Sequence, residues 1–279
     1  MKIDSHQHFW KYSSLRDAWI TDDMKIIQRD FMPSGLKPIL DANTFDGSVA
    51  VQADQSEAET NFLLDLSKKY DFIKAVVGWV NLRNENVIER LEYFSQFEKL
   101  KGFRHIVQAE ADDFFLNKEF CRGIALLSRY GFTYDILIKP QHLPSTIEFV
   151  RQFPEQMFVI DHIGKPEILN SSRNSGIDWE KAIKEIGKSE NVYIKLSGIV
   201  TEGDWQKWKK DDFTKYIDVV LNSFGAEKIM FGSDWPVCLV AASYEQVCEI
   251  VEEHIEHLSA FEKQLIWGQT AIDFYRLWK

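Results

Sequence analysis

Cysteine is scarce: the 279 residues include three, Cys121, Cys238 and Cys248, an odd number, widely spaced and with no Cys-x-x-Cys pair. That excludes a disulfide framework or a zinc-finger and reads as reduced thiols, as in a cytosolic protein. Positive charge is also in deficit, with 33 Lys and Arg against 43 Asp and Glu and a net charge of −10. Such a chain is repelled by nucleic acid and by anionic membranes, so neither is expected as a partner. An anionic metabolite stays open, because one local Arg or Lys can decide its binding. No apolar run approaches the length needed to cross a bilayer, and no charged-then-apolar leader precedes the first strand, which points to the cytoplasm. Stretches rich in Gly, Pro or Ser that would divide the chain are missing, as are low-complexity tracts.

What is present suits one domain over residues 1–279. Apolar residues make up 45% and charged residues 27%, ample for a core and far from a disordered composition. Eight β-rich apolar runs begin near Lys2, Gly47, Ile73, Leu100, Phe132, Met157, Val192 and Lys228, at intervals of 25 to 45 residues. Segments with helical periodicity separate them: 57–70, 87–97, 120–130, 145–153, 179–187, 213–224 and 244–257. Strict strand–helix alternation with short links implies parallel strands joined by right-handed crossovers. The expected fold is α/β, a single (β/α)₈ TIM barrel, with an open doubly wound sheet as the alternative. Three insertions interrupt the rhythm: Trp10 to Asp30, expected as a loop or lid over the strand ends, Lys165 to Asp178, and Thr201 to Asp212 with Trp205 and Trp208.

In such a barrel the active site lies at the C-terminal strand ends. The first run, Ile3-Asp4-Ser5-His6-Gln7-His8, puts His6 and His8 on one face, about 7 Å apart along a strand. Two imidazoles so placed can approach one ion or one substrate atom. Closing the last strand, Met230-Phe231-Gly232-Ser233-Asp234, against the first would bring Asp234 beside them. The other ends offer Gln52 and Asp54, Trp79, Arg104 and His105, Tyr134 and Asp135, Asp161 and His162, and Lys195 and Ser197. Buried strands have no structural need for so many ionisable groups, each costing several kcal/mol if left unpaired. Of the adjacent pairs Arg104/His105 and Tyr134/Asp135, an ideal strand points one member inward. Lys195 is either a catalytic group or an ion-pair partner of Asp161 or Asp4. Trp10, Trp79 and Trp235 are candidates for stacking on a substrate ring, against plain aromatic packing.

The segments IDSHQHFW, VVGWVNL, KGFRHIVQ, YDILIKPQHL, VIDHIGKP, IKLSGIV and MFGSDWPVC together resemble the amidohydrolase superfamily, and within it the sugar-acid lactonases of the L-fuconolactonase type. The resemblance runs from residue 2 to about residue 238 and more weakly through WGQTAIDFY. It implies a (β/α)₈ barrel that hydrolyses a cyclic ester, with His6 and His8 as the first-strand His-x-His, His162 as the later-strand histidine and Asp234 as the aspartate that activates water. Two departures bear on the metal. The fourth strand ends Gly102-Phe103-Arg104-His105, without the metal-bridging modified lysine of many members, so two metals are not expected. Asp135 stands where metal-dependent relatives usually have a histidine.

The resemblance thus leaves two forms of one reaction: a single divalent ion such as zinc held by His6, His8 and Asp234, or no metal at all. In either, Asp234 takes a proton from water that attacks the lactone carbonyl, with His162, Lys195, Arg104 or His105 answering the developing oxyanion. Gln52, Arg104, Trp10, Trp79 and Trp235 would bind the sugar. The expected partner is a small sugar lactone, and a homo-oligomer is compatible with the sequence. The competing reading is a zinc-dependent decarboxylase of the same superfamily acting on an aromatic or unsaturated acid.

Overall fold

The computed structural model describes residues 1–169 and 178–278. Eight strands, β1 (Ile3–Gln7), β2 (Gly47–Val51), β3 (Ile73–Gly78), β4 (Leu100–Ile106), β5 (Thr133–Leu137), β6 (Phe158–Ile160), β7 (Val192–Leu196) and β8 (Ile229–Phe231), pair in parallel in chain order. Each begins within one residue of its expected start. The helices between them are α1 (Pro33–Ala42), α2 (Glu57–Lys69), α3 (Val87–Phe94), α4 (Lys118–Leu127), α5 (Leu143–Gln152), α6 (Trp179–Ile186) and α7 (Asp211–Phe224). After β8 come α8 (Tyr244–His254), α9 (Ala260–Gln264) and α10 (Thr270–Tyr275). The architecture is a (β/α)₈ TIM barrel.

The helices start where the sequence can satisfy their first backbone N–H groups. Ser56, Asn117 and Asp178 accept from the N–H three residues on in α2, α4 and α6, and Ser243 with Gln246 forms a reciprocal cap on α8. Their apolar faces pack on the outside of the strands. Inside the barrel a second apolar layer, including Ile3, Val49, Val51, Val77, Val159 and Met230, closes on Ala271, Phe274 and Tyr275, so α10 plugs the floor.

Closure between β8 and β1 is made past the end of β8. Ser5 Oγ donates to the Phe231 carbonyl at 2.6 Å, Asp234 N–H to the His6 carbonyl at 2.8 Å, and His8 N–H to the Trp235 carbonyl at 2.7 Å. Asp4 accepts from Ser233 N–H at 2.9 Å and from Ser233 Oγ at 2.6 Å. Gly232 permits the approach, since a Cβ there would lie 2.7 Å from His6 Cβ.

The Trp10–Asp30 insertion folds over the strand ends as expected. Trp10 and Phe31 exchange backbone hydrogen bonds at 3.0 and 2.9 Å, a short 3₁₀ turn spans Asp22–Ile27, and Trp10 Nε1 donates to the Arg29 carbonyl. Residues 170–177 of the second insertion lie outside the described residues. Among the described residues no helix is long and apolar enough to cross a membrane.

Candidate active site

A cavity of about 510 Å³ opens at the C-terminal strand ends, within the range of small-molecule sites. Its floor carries His8, Arg104, His162 and Asp234, and its apolar walls come from Trp10, Trp19 and Met24 on one side and Trp205, Val237 and Val240 on the other. Lys139, Lys165 and Glu202 stand among the remaining lining residues, with Lys165 paired to Glu202 at 2.8 Å.

Strand alternation and barrel closure do bring the distant ends together. His6 Nε2 lies 3.2 Å from His8 Nε2 and 3.8 Å from Asp234 Oδ1, and His8 Nε2 lies 3.3 Å from the same oxygen. His162 Nε2 is 3.9 Å from that oxygen. Burial alone would raise the Asp234 carboxyl, but His162 and the contact with His8 outweigh it and hold it below the ordinary carboxylate value. Asp234 is therefore ionised at neutral pH. His8 Nδ1 donates to the Val51 carbonyl at 2.8 Å, which turns Nε2 of the ring toward Asp234. Burial pushes both His6 and His162 below the ordinary histidine value, against the pull of Asp161 on the first and of Asp234 on the second.

His162 is aimed by unusual backbone. Residues 162–165 all have positive φ, at 54°, 48°, 74° and 50°, a left-handed turn at the β6 exit that costs roughly 1–3 kcal/mol per non-glycine residue. The ring meets Ser197 Oγ at 2.9 Å through Nδ1, and Gly198 leaves it room, since a Cβ there would lie 2.4 Å from Nδ1.

Beneath the floor lies a buried ionic layer. Arg104 Nη1 is 2.9 Å from Asp161 Oδ2 and 3.2 Å from His6 Nε2, and Nη2 donates to the Gln52 carbonyl. Lys195 Nζ is 2.5 Å from Asp135 Oδ2, 3.0 Å from Asp161 Oδ1 and 3.1 Å from His6 Nδ1. Tyr275 of α10 donates to Asp135 Oδ2 at 2.8 Å. For Asp161 burial acts upward, but Lys195, His6 and Arg104 together hold it well below the ordinary carboxylate range. Burial pushes Asp135 up to about 6, which still leaves it ionised at neutral pH.

The remaining candidates sit elsewhere, and each departure has a packing reason. Of the adjacent pair on β4, Arg104 turns inward and His105 turns away. His105 accepts from Trp79 Nε1 at 3.3 Å, meets Glu110 at 2.8 Å through Nε2 and stacks on Phe114, out of reach of the cavity floor. Trp79 is thus spent on His105 rather than on a ligand face. Trp235 packs edge-on against Phe31 and Phe9, with ring centroids 5.1 and 6.2 Å away, and does not line the cavity. Gln52 is fully buried, and its amide donates to the Arg104 carbonyl at 3.0 Å, so it supports Arg104. Lys195 lies below the cavity and pairs with Asp161, one of its two suggested partners, and with Asp135. Trp10 alone of the three tryptophans lines the cavity, joined by Trp19 and Trp205, which the insertions supply. Tyr275 and Ser233 escaped the sequence reading, since neither sits at a β-strand's polar alternation.

The donor set suits one small cation. Ligand atoms on a tetrahedral zinc at 2.0–2.1 Å stand about 3.4 Å apart, close to the 3.2, 3.3 and 3.8 Å separations among His6, His8 and Asp234. These three, and separately His6, Asp161 and His162, form the metal-competent clusters found among the described residues. The guanidinium of Arg104 beside His6 already supplies one fixed positive charge.

A family model for amidohydrolases matches residues 3–277. The chain is 40% identical to an L-fucono-1,5-lactonase of Burkholderia multivorans, covering 99% of this chain and 96% of that one. It is 31% identical to an L-fucono-1,5-lactonase of Burkholderia ambifaria, again over 99% of this chain and 96% of the relative. Among solved structures, an amidohydrolase of Burkholderia multivorans with bound zinc superposes with a TM-score of 0.95 at 39% identity, covering 99% of each chain. With the match spanning nearly its whole length, the chain belongs to the amidohydrolase family.

Proposed function

We propose that this chain is a lactonase that opens a sugar-acid lactone, L-fucono-1,5-lactone or a related aldonolactone, by attack of water activated by Asp234. The observation that carries the reading is the Asp234 carboxylate on the cavity floor, 3.3 Å from His8 Nε2 and 3.9 Å from His162 Nε2. The likeness to two L-fucono-1,5-lactonases supports the substrate class.

The residues divide the work by their chemistry. Asp234 accepts a proton from water as its oxygen attacks the lactone carbonyl carbon. Arg104, which lines the floor and cannot lose its proton, stabilises the charge that develops on the carbonyl oxygen, with His162 as second donor. Collapse of the tetrahedral intermediate breaks the ring C–O bond, and the proton held by Asp234 passes to the departing alkoxide. The product is the open hydroxy acid. Trp10, Trp19 and Trp205 offer flat apolar faces to the C–H side of the sugar ring, while Lys139, Lys165 and Glu202 offer charges to its hydroxyls. If a divalent ion binds, His6, His8 and Asp234 would hold it, and it would polarise the carbonyl and acidify water.

The direct test is a panel of five- and six-membered aldonolactones in a pH-indicator assay, with and without chelator. Turnover of a 6-deoxy-sugar 1,5-lactone is expected. A purified, folded enzyme that opens no lactone on the panel overturns the reading.

A further inference from the structure

In a ring of eight strands in chain order, β4 and β5 stand across the barrel mouth from β8 and β1. The segments that follow β1 and β8 bring Trp10, Trp19, Met24, Val237 and Val240 to the cavity lining, an apolar corner on the side of Asp234. The segments that follow β4 and β5 bring Gln108 and Lys139, each two residues beyond the end of its strand. Of the charged and amide side chains that line the cavity, these two have no hydrogen-bond or ion-pair partner among the described residues. Arg104 is held by Asp161, Lys165 by Glu202, and Asp234 lies against His8. The loops that carry Gln108 and Lys139 are nevertheless fastened to each other. Buried His142 has Nδ1 3.2 Å from the Lys139 amide nitrogen and Nε2 3.3 Å from the Glu110 carbonyl. The Glu110 side chain meets His105 at 2.8 Å, and Ile106 N–H donates to Gln55 Oε1 at 2.7 Å. Fixed backbone beneath two polar ends that serve nothing inside the protein is the arrangement of a preorganised ligand contact.

We propose that Gln108 and Lys139 are specificity-determining residues that bind the hydroxyls at C3 and C4 of a six-membered sugar lactone. The proposal rests on the lactonase reading and deepens it. When the carbonyl carbon, C1, sits beside Asp234, C4 stands directly across the lactone ring from it. C4 is flanked by C3, which carries a hydroxyl, and by C5, which carries a carbon substituent. The adjacent hydroxyls of C3 and C4 therefore turn toward β4 and β5, where Gln108 and Lys139 wait, and away from the apolar corner. The Gln108 amide both donates and accepts, so it can meet a hydroxyl in either orientation, and the Lys139 ammonium donates to a hydroxyl oxygen. A lactone without these hydroxyls would cover both polar ends and pair neither, which is how a polar pocket rejects an analogue.

The test is steady-state kinetics of the whole protein and its Gln108→Ala and Lys139→Met variants on three lactones. L-fucono-1,5-lactone carries every hydroxyl, its 2-deoxy analogue keeps those at C3 and C4, and δ-hexalactone keeps the methyl beside the ring oxygen and has no hydroxyl. Each substitution should lower kcat/KM for L-fucono-1,5-lactone, relative to δ-hexalactone, by about five- to a hundredfold, the size of one lost hydrogen bond. The loss should lie mainly in KM, because contacts remote from the reacting carbon hold substrate and transition state alike. The 2-deoxy lactone should suffer the same relative loss. Variants that match the wild type on all three lactones, or that lose as much on δ-hexalactone as on the hydroxylated pair, overturn the proposal. A 2-deoxy lactone indifferent to both substitutions overturns it too, since C2 would then be the position read. A wild type that opens none of the three brings down the proposed reaction and this inference together, whereas an active wild type with unselective variants strikes the inference alone.

Discussion

Ser233 Oγ donates to Asp4 Oδ2 at 2.6 Å across 229 positions of sequence. The same carboxylate receives the Ser233 and His6 N–H groups and the Tyr244 hydroxyl, so one buried side chain ties β1 to the exit of β8. Asp234, the next residue, owes its place beside His8 to this clamp. Asp4→Ala should lower unfolding stability by about 2–4 kcal/mol, since several buried donors lose a charged acceptor. Urea unfolding checks it, and an unchanged midpoint would mean that closure rests on the backbone hydrogen bonds alone.

Asp234→Asn keeps the shape of the side chain and removes its basicity. The variant should fold with a near-normal melting temperature and lose about two to four orders of magnitude in kcat, the range for a general base. Turnover close to that of the wild type would remove Asp234 from the chemistry.

Arg104 serves Asp161, the Gln52 carbonyl and the cavity with one planar fork, a geometry that lysine cannot copy. Arg104→Lys should therefore cost about 10²–10³ in kcat, the loss typical of an oxyanion donor. Steady-state kinetics of Arg104→Lys against wild type decides the point, and full activity in the lysine variant would assign Arg104 to packing.

Zinc should raise the melting temperature of the wild type and leave that of His8→Ala unmoved, because a ligand that binds only the folded state stabilises it. Lactone turnover is expected to survive chelation, since Arg104 supplies a permanent charge. Complete loss of activity on chelation, with decarboxylation of an aromatic acid by the zinc form, would favour the competing reading.

Glu59, at the start of α2, is lifted by burial to about 7 from an ordinary 4.5. The folded chain thus holds the proton more tightly than the unfolded one. The stability linked to that proton is fully present below about pH 4.5 and is lost as pH rises towards about 7. Glu59→Gln should flatten this slope and add up to about 3 kcal/mol above pH 7. Unfolding midpoints at pH 5 and pH 8 test it, and equal gains at both would rule out the titration.

The barrel was legible because period-2 and period-3.6 patterns alternate without a break and the strand starts follow from them. His6, His8 and Asp234 could be placed together from parity and closure alone. Other placements turned on facts that a linear pattern does not carry. Arg104 and His105 are neighbours of opposite parity, and the choice between them is settled by Phe114 and Glu110, which come from the loop after β4 and give His105 a stack and an acceptor. Trp79 and Trp235 look the same in sequence as Trp10, but the first is claimed by His105 and the second by Phe9 and Phe31. Tyr275 reaches Asp135 from a helix 140 residues away, and no local spacing announces that contact.

The left-handed turn through His162, Ile163, Gly164 and Lys165 bears on how the enzyme can drift. Glycine or asparagine would relax this backbone at 163 or 165, so a library screened for heat resistance alone should enrich such replacements. The survivors would hold the His162 ring less firmly over the floor. Durability and turnover therefore pull against each other at this bend, and breeding a hardier catalyst calls for selecting on both together.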